Sequence, residues 1–389
     1  MKTRAVIACV AGIGVLMGAA VRASALPRYE IDLIPVLPLL EYININGFNN
    51  RGEVLITQLN AGPNLQIIAT IWTADAGHRL LPSDIQYNSG SDLNDLGQAL
   101  EGGGGWIWEP DGSMTPLPSQ YWIQQINNTG QLFGVGWDAD TGHYFPVISQ
   151  GGGTTIVPIS APGDYRVHDA NDLGVAIGSR YLYLGHGADG EPLYEYEGLR
   201  VTSSGVSTLD PLPGMQYALP YAMNNAGMIV GTSVQGDTRS GTVWLSDGTA
   251  IGMGADYYLY DINDLGQAVG SGPDGPFVWT SADGVQLIPS PTGTIDLLYA
   301  LKINDHSQIV LVDASAFPQV GYLLTPIPDC PGDANGDNRV DVDDIEAVLS
   351  AWASVVPVGT GADLAGLDGY VNIDDLNAVL SGWGSDCSE

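Results

Sequence analysis

Seven copies of one short phrase run along this 389-residue chain, and such repetition restricts the fold to like units that stack on one another. Each copy is an apolar residue, then Asn, then Asn or Asp, one variable residue and usually Gly. The copies stand at Asn49-Asn50-Arg51-Gly52, Asn94-Asp95-Leu96-Gly97, Asn127-Asn128-Thr129-Gly130 and Asn171-Asp172-Leu173-Gly174. They continue at Asn224-Asn225-Ala226-Gly227 and Asn263-Asp264-Leu265-Gly266, and end at Asn304-Asp305-His306-Ser307, which has lost its Gly. Spacings run from 33 to 53 residues. Their mean of about 42 is the length of a four-stranded propeller blade.

The phrase has a mechanical meaning. Asn and Asp bond to nearby backbone and start turns, while Gly takes a positive φ without steric cost. Between apolar runs it is a tight hairpin. One repeat shows the whole plan: strand Tyr257 to Ile262, the Asn263–Gly266 turn, strand Gln267 to Gly270, strand Phe277 to Thr280 and strand Val285 to Ile288, stopped by Pro289. Trp72, Trp108, Trp244 and Trp279 occupy matching places in third strands and read as core between blades. An apolar residue plus Pro closes fourth strands at Leu81-Pro82, Leu117-Pro118, Val157-Pro158 and Leu212-Pro213. The seventh repeat reaches only a third strand, Gly321 to Leu324, before Pro326 and Pro328. Tyr29 to Ile34, followed by Pro35, supplies a matching fourth strand, which would close a ring and remove exposed sheet edges. The expected fold is mainly β: a seven-bladed β-propeller of four-stranded blades over residues 26–327. An open β array and two stacked sandwiches are the alternatives.

This region resembles the bacterial extracellular HAF repeats, whose shared phrase is an Ile-Asn-x-x-Gly-x-x-Val-Gly hairpin ahead of an aromatic strand. Ile262-Asn263-Asp264-Leu265-Gly266-Gln267-Ala268-Val269-Gly270, with Phe277-Val278-Trp279 behind it, carries the resemblance. The copy at Asn171 matches less well, and the one at Asn304 lacks both glycines. The resemblance implies an exported, propeller-like protein and names no ligand.

The composition changes after Pro326-Ile327-Pro328, and residues 328–389 are expected to form a separate small α-helical calcium-loop domain. Asp333, Asn335, Asp337, Asp341 and Asp344 put oxygen side chains at positions 1, 3, 5, 9 and 12 of a twelve-residue loop, and Arg339 offers its carbonyl at position 7. That is the spacing of a calcium loop. A helix-like run, Ile345 to Trp352, follows, and a near copy recurs 31 residues later: Asp375-Leu376-Asn377-Ala378-Val379-Leu380-Ser381-Gly382-Trp383. Apolar residues at i, i+3, i+4 and i+7 give each short helix one face, so the two should pack together. Before the second helix, Asp363, Asp368, Asn372 and Asp375 form a degraded second loop, one residue longer than the first, with Ala365 and Leu367 where oxygens are expected. Five Asp in the first loop repel one another without a cation, so calcium and folding should be coupled.

The duplicated loop–helix segment resembles a dockerin, with Asp and not Glu at position 12. The resemblance implies calcium as the cofactor and attachment through residues 330–387 to a cohesin-like or cell-surface partner. Partner choice in dockerins rests on loop positions 10 and 11; here these are Val342-Asp343 and Ile373-Asp374, not Ser-Thr. The basic residues common on the following helix are absent. A calcium-stapled C-terminal cap is the alternative reading.

Lys2 and Arg4, the apolar run Ala5 to Val21 and Ala23-Ser24-Ala25 read as a secretory signal over residues 1–25, with cleavage near Leu26; an uncleaved membrane anchor is the alternative, but the run holds Gly12, Gly14 and Gly18 and is barely long enough to span. An extracellular or cell-surface location is expected, with no membrane span after cleavage. The remaining cysteines, Cys330 and Cys387, bracket the C-terminal segment and can pair in an oxidising compartment. Such a bridge would contribute about 4 kcal/mol in the chain-entropy model. With 44 acidic and 12 basic residues the formal charge is −32, which argues against nucleic acid and anionic lipid as partners.

No catalytic motif stands out. His78, His143, His168, His186 and His306 have no zinc-type spacing and join no nucleophile motif. The glycines at 102–105 and 151–153 adjoin no helix and read as turns. The sequence therefore points to a secreted, non-catalytic binding or assembly protein whose propeller holds a glycan or a protein. The alternative is a polysaccharide hydrolase or lyase carried on the dockerin-like module. The longest insertion, Arg180 to Glu197, holds Tyr181, Tyr183, His186, Tyr194 and Tyr196 and is the expected ligand-facing loop.

Overall fold

The computed structural model describes residues 5–7, 28–60, 65–82, 89–150, 153–159, 161–186, 192–288, 290–291, 297–327, 330–335, 339–354, 362–365 and 370–385. The chain divides into two compact units, residues 33–304 with 309–323, and residues 1–32 with 305–308 and 324–389.

Seven sheets account for the repeats. Blade 1 is Tyr42–Phe48, Val54–Leu59, Ile67–Thr73 and Gly77–Leu80; blade 2 is Gly90–Leu93, Ala99–Glu101, Trp106–Trp108 and Met114–Pro116. Blade 3 is Tyr121–Ile126, Leu132–Asp138, His143–Gln150 and Gly153–Ile156. Blade 4 is Asp164–Ala170, Ala176–His186, Pro192–Thr202 and Gly205–Leu209. Blade 5 is Tyr217–Met223, Ile229–Gln235, Thr238–Trp244 and Ala250–Ala255; blade 6 is Tyr258–Ile262, Ala268–Gly272, Gly275–Thr280 and Gly284–Leu287. Blade 7 takes Leu298–Ile303, Ile309–Asp313 and Val320–Ile327 from the end of the array and Arg28–Ile34 from its start. The expected closing strand is therefore in place. Gly321 leaves the room that Ile34 fills, since a Cβ there would lie 3.1 Å from the Ile34 Cβ. A further short strand, Ala5–Ile7, pairs outside Arg28–Ile34, within the segment read as a signal. The rest of that segment lies outside the described residues.

The Asn phrases do more than turn the chain. In the six repeats that keep the Gly, the Asn carbonyl accepts from the N–H three residues on, as in Gly266 to Asn263 at 3.1 Å. Gly266 has φ +75°, a conformation only Gly takes without strain, and Ser307 holds φ +57° where the seventh repeat lacks the Gly. The Asn side chain then reaches the next blade. Asn49 Nδ2 donates to the Asn94 carbonyl, Asn94 to Asn127, Asn127 to Asn171 and Asn171 to Asn224. Asn224 donates to Asn263, Asn263 to Asn304, and Asn304 returns to Asn49 at 3.2 Å. All seven asparagines are buried. The seam between blades 7 and 1 is also tied by the Ile43 N–H to Gln319 Oε1 at 3.1 Å and the Gln319 N–H to the Glu41 carbonyl at 2.9 Å. Both closures rule out an open array or stacked sandwiches.

Apolar packing fills the spaces between blades. Trp108 of blade 2 packs with Leu55, Ala69 and Ile71 of blade 1, and Trp279 of blade 6 with Val230 and Val243 of blade 5. Their burial makes these tryptophans core between blades, as their places in the repeat suggest. Burying ring area of this kind is the main favourable term in the fold.

Every first strand also carries a bulge. In blade 6, Leu259 faces Gly270 and Asp261 faces Val269, so Tyr260 is the extra residue. The last Gly of the repeat phrase sits opposite that bulge, and a Cβ on Gly270 would collide with the Tyr258 carbonyl. Gly134, Gly178 and Gly231 stand in the same place against Trp122, Arg166 and Leu219. The bulge re-aims the residue after it.

In the second unit, helix α1 (Val342–Ser350) and helix α2 (Ile373–Gly382) share a small core with Cys330, Val340, Val348, Val371 and Val379. Each helix begins three or two residues earlier than the sequence suggests, because an acidic capping box opens it.

Replacing Asn224 by Ala removes the donor to Asn263 and the acceptor for the Met228 N–H. The expected loss is about 3 kcal/mol in urea unfolding, since buried partners are left unpaired. Leu173→Ala, at an exposed turn position, should change stability by under about 0.5 kcal/mol.

Candidate functional site

The bulges place one residue per blade at equivalent hub positions: Gly47, Asp92, Gln125, Asp169, Ala222, Asp261 and Lys302. The three carboxylates each clamp the following blade. Asp92 Oδ2 accepts from the Ile126 N–H at 2.7 Å, Asp169 Oδ2 from Met223 at 2.7 Å, and Asp261 Oδ2 from Ile303 at 2.9 Å. Lys302 Nζ lies 3.8 Å from Asp261 Oδ1, with 29% of its side chain exposed. Burial pushes Asp92 up to about 6 and Asp169 up to about 7, against the pull of Lys302 and of their backbone hydrogen bonds. The charge of Asp261, with Asp169 and Asp92 behind it, holds Lys302 above its ordinary value. The hub thus gathers three carboxylates and one ammonium, each carboxylate bonded to the following blade. Its signal in the sequence is the spacing of Asp92, Asp169 and Asp261 two residues before the Asn of alternate repeats.

Two histidines are spent on the scaffold. His168 bridges the Pro220 carbonyl at 2.7 Å and Ser179 Oγ at 3.1 Å, and burial lowers its pKa. His78 bridges the Pro35 carbonyl at 2.6 Å and Thr70 Oγ1 at 3.1 Å, also with a pKa lowered by burial. Each ring nitrogen has a fixed partner, which suits a neutral imidazole.

The described residues of the segment Arg180 to Glu197 are paired strand: they extend the second and third strands of blade 4, Ala176–His186 and Pro192–Thr202, to 11 residues each. Tyr181 faces Tyr196 and Tyr183 faces Tyr194 across it. These alternate residues share one face. Ring centroids are 5.5 Å apart for Tyr183–Tyr194, 5.9 Å for Tyr194–Tyr196 and 5.1 Å for Tyr196–Tyr217, the last pair stacked. Arg180 anchors the base, donating to Glu197 at 2.9 Å, Glu195 at 3.0 Å and the Pro162 carbonyl at 2.6 Å. The Arg166 guanidinium lies 5.4 Å over the Tyr181 ring.

In the C-terminal unit the two loop–helix copies share one architecture. Asp344 is fully buried; its Oδ1 accepts from the N–H groups of Ala334 and Asn335, and its Oδ2 from Asp341. Asp375 does the same with Leu364, Ala365 and Asn372. Positions 9 and 12 of each loop, Asp341 with Asp344 and Asn372 with Asp375, are thus also the capping boxes of α1 and α2. Asp333 precedes Ala334 in the first loop and Asp363 is buried at the start of the second. The expected ligands Asp337 and Asp368 lie outside the described residues, and among those described no three acidic, His or Cys groups converge. Cys330 is buried, and its expected partner Cys387 also lies outside the described residues. The helices show one feature that the loop spacing does not reveal. Val342, Leu349 and Trp352 are exposed, and so are their counterparts 31 residues on, Ile373, Leu380 and Trp383.

No protein-family model matches the chain, and no curated protein is similar to it, so the HAF-repeat and dockerin resemblances rest on their motif residues. Among solved structures the chain is similar to the β-propeller domain of the Trilobed protease from Pyrococcus furiosus, with TM-score 0.46 and 10% identity over 70% of this chain and 91% of that one. It is similar to an acylaminoacyl peptidase from Pyrococcus horikoshii, with TM-score 0.46 and 12% identity over 73% of this chain and 50% of that one. A gluconolactonase from Xanthomonas campestris gives TM-score 0.39 and 10% identity over 77% of this chain and 89% of that one. None of these likenesses carries an activity to this chain.

The hub makes a pH-dependent prediction. The raised values of Asp92 and Asp169 mean that their stabilising contribution is full below about pH 4 and is lost as pH rises through about 6 and then 7. Lys302 offsets that loss. Lys302→Met should cost about 2 kcal/mol at pH 8, after discounting for solvent in the hub, and clearly less at pH 5. Thermal midpoints at the two pH values read the difference; an equal gap at both contradicts the assignment.

Proposed function

We propose that this is a secreted, non-catalytic binding and assembly protein, with a propeller that presents a binding face and a calcium-dependent module at residues 330–387 that attaches it to a cohesin-like or cell-surface protein. The matched exposed apolar sets along and just after α1 and α2 carry the attachment reading. A unit with so small a core has little reason to leave Leu349, Trp352, Leu380 and Trp383 in water unless a partner covers them.

The donor chemistry suits calcium, which takes six to eight hard oxygen ligands. Asp333, Asn335, Asp337, Asp341, Asp344 and the Arg339 carbonyl would hold one ion; Asp363, Asp368, Asn372 and Asp375 would hold a second. When bound, the ion supplies positive charge that offsets the mutual repulsion of the loop carboxylates. Asp344 and Asp375 already fix the start of each loop to the start of each helix, so the chain itself brings the two ends of the site together. Asp92 and Asp169, whose pKa values burial raises, are tied to backbone N–H groups of the next blade, which supports a hub role for them over acid–base catalysis.

Calcium at 100 times its Kd should stabilise the C-terminal unit by about 2.7 kcal/mol, reversed by a chelator. Asp344→Ala should abolish that increment. Leu349→Asp with Leu380→Asp should leave calcium binding intact and release the protein from calcium-washed cell envelopes or immobilised cohesin domains. Retention that survives both the chelator and the double substitution contradicts the reading.

A further inference from the structure

The two ends of the propeller unit differ in what they show to solvent. Each blade runs out, back, out and back, so the turns joining strands 1 to 2 and 3 to 4 lie at one end. The connections from strand 2 to 3, and from strand 4 to the next blade, lie at the other. All seven Asn turns are at the first end. Every exposed aromatic side chain among the described residues of this unit is at the second: Trp106, Trp122, Trp137, Phe317 and the three tyrosines 183, 194 and 196, which are 37–71% exposed. At the Asn end the exposed large apolar residues are aliphatic, led by Leu96, Leu173 and Leu265.

We propose that this aromatic end binds a neutral polysaccharide chain, with the tyrosine hairpin of blade 4 as its main wall. The inference rests on the binding-protein reading above and names the ligand class and the site. Three observations favour a sugar polymer. First, the rings are exposed in a file and held in place before any ligand arrives. Tyr181, Tyr183, Tyr194, Tyr196 and Tyr217 lie 5.1–6.4 Å from their neighbours, Trp137 is braced edge-on by Tyr144 at 4.9 Å, and Trp122 Nε1 donates to the Gly102 carbonyl at 3.4 Å. Rigid aromatics lose little conformational entropy on binding. Second, each ring offers an apolar face for the C–H face of a sugar and a hydroxyl or N–H at its edge for sugar hydroxyls. A repeating ligand can use successive rings in the same way. Third, the formal charge of −32 disfavours polyanions, and with them nucleic acids and acidic glycans. The rings follow one another along the paired strands, which suits a chain bound along its length.

The test uses the full mature chain in calcium-containing buffer and affinity electrophoresis through gels holding mixed-linkage β-glucan, xylan, glucomannan or polygalacturonate. At least one neutral polymer should retard the protein and polygalacturonate should not. Tyr183→Ala with Tyr194→Ala should weaken the retardation tenfold or more, and Trp137→Ala should weaken it measurably. Tyr183→Phe with Tyr194→Phe keeps the rings and should retain most of the binding. The opposite-face control, Leu96→Ala with Leu173→Ala and Leu265→Ala, should bind as wild type. Circular dichroism and the thermal midpoint confirm that each variant folds. No retardation by any neutral polymer overturns the proposal, as does equal retardation of the tyrosine variants, retention by polygalacturonate alone, or a ladder whose loss only breaks self-association in sedimentation. If calcium-dependent envelope attachment persists without polysaccharide binding, this inference alone fails. If polysaccharide binding persists without calcium-dependent attachment, the attachment reading fails and this one stands.

Discussion

One asparagine side chain per repeat carries the bond that turns seven separate sheets into a ring. Its Oδ1 accepts from backbone N–H groups within its own turn, as Asn127 does from Thr129 and Gln131. Its Nδ2 then has one direction left, toward the carbonyl of the next Asn. The local turn and the long-range closure therefore use opposite ends of one amide, and neither Asp nor Gln could serve both. An Asp has no donor, and a Gln places its amide one methylene too far. Beside this inner circle runs a second set of bonds, in which the side chain of the Asn or Asp at the following position accepts from the backbone N–H of its counterpart in the preceding blade, at 2.7–2.8 Å from Asn50–Asp95 through Asn225–Asp264. Buried amide bonds of this kind are individually worth about 1 kcal/mol net, but leaving one partner unmade costs more than the bond supplies. That asymmetry suits a closed circuit, where each blade depends on its neighbour.

Much of this is legible in the sequence because the repeat phrase is itself the turn chemistry. The blade plan read from Tyr257 to Ile288 matches the observed strands to within one or two residues, and Tyr29 to Ile34 does sit beside Gly321 to Leu324. The tryptophans at 72, 108, 244 and 279 are buried between blades as their strand positions imply. Three things are not legible. The Asn-to-Asn relay joins residues 33 to 53 positions apart, and 255 apart where it closes, and leaves no local pattern beyond the Asn itself. The bulges are hidden, although the second Gly of the phrase, as at Gly270, marks them by the clash a Cβ would make. The segment Arg180 to Glu197 reads as a loop because Gly185 and His186 interrupt its alternation, whereas the structure keeps pairing through a bulge there. In the C-terminal unit, the spacing of Asp341 with Asp344 and of Asn372 with Asp375 reads as calcium ligation alone, and it also caps the helices.

The hub and the aromatic end show how one repeat is put to different uses along the chain. The position after the bulge is Asp in blades 2, 4 and 6 and Lys in blade 7, so a scaffold position becomes a charge cluster without altering the strand around it. The second and third strands can lengthen away from the Asn turns, as in blade 4, because the Asn circuit runs through the opposite end. The Asn turns cannot vary in this way, because the circuit fixes them. Variation therefore concentrates at the opposite end, where the exposed aromatics lie.

The central claim is that the amide circuit closes between the last repeat and the first. Hydrogen exchange of the Asn side-chain amides, followed by NMR in deuterated buffer, addresses it directly. Asn304 should be protected to the same degree as Asn94, Asn127 and Asn263, since each donates to a buried carbonyl. An Asn304 amide that exchanges as fast as an exposed side chain while the others remain slow would mean an open arc of blades and would contradict the account.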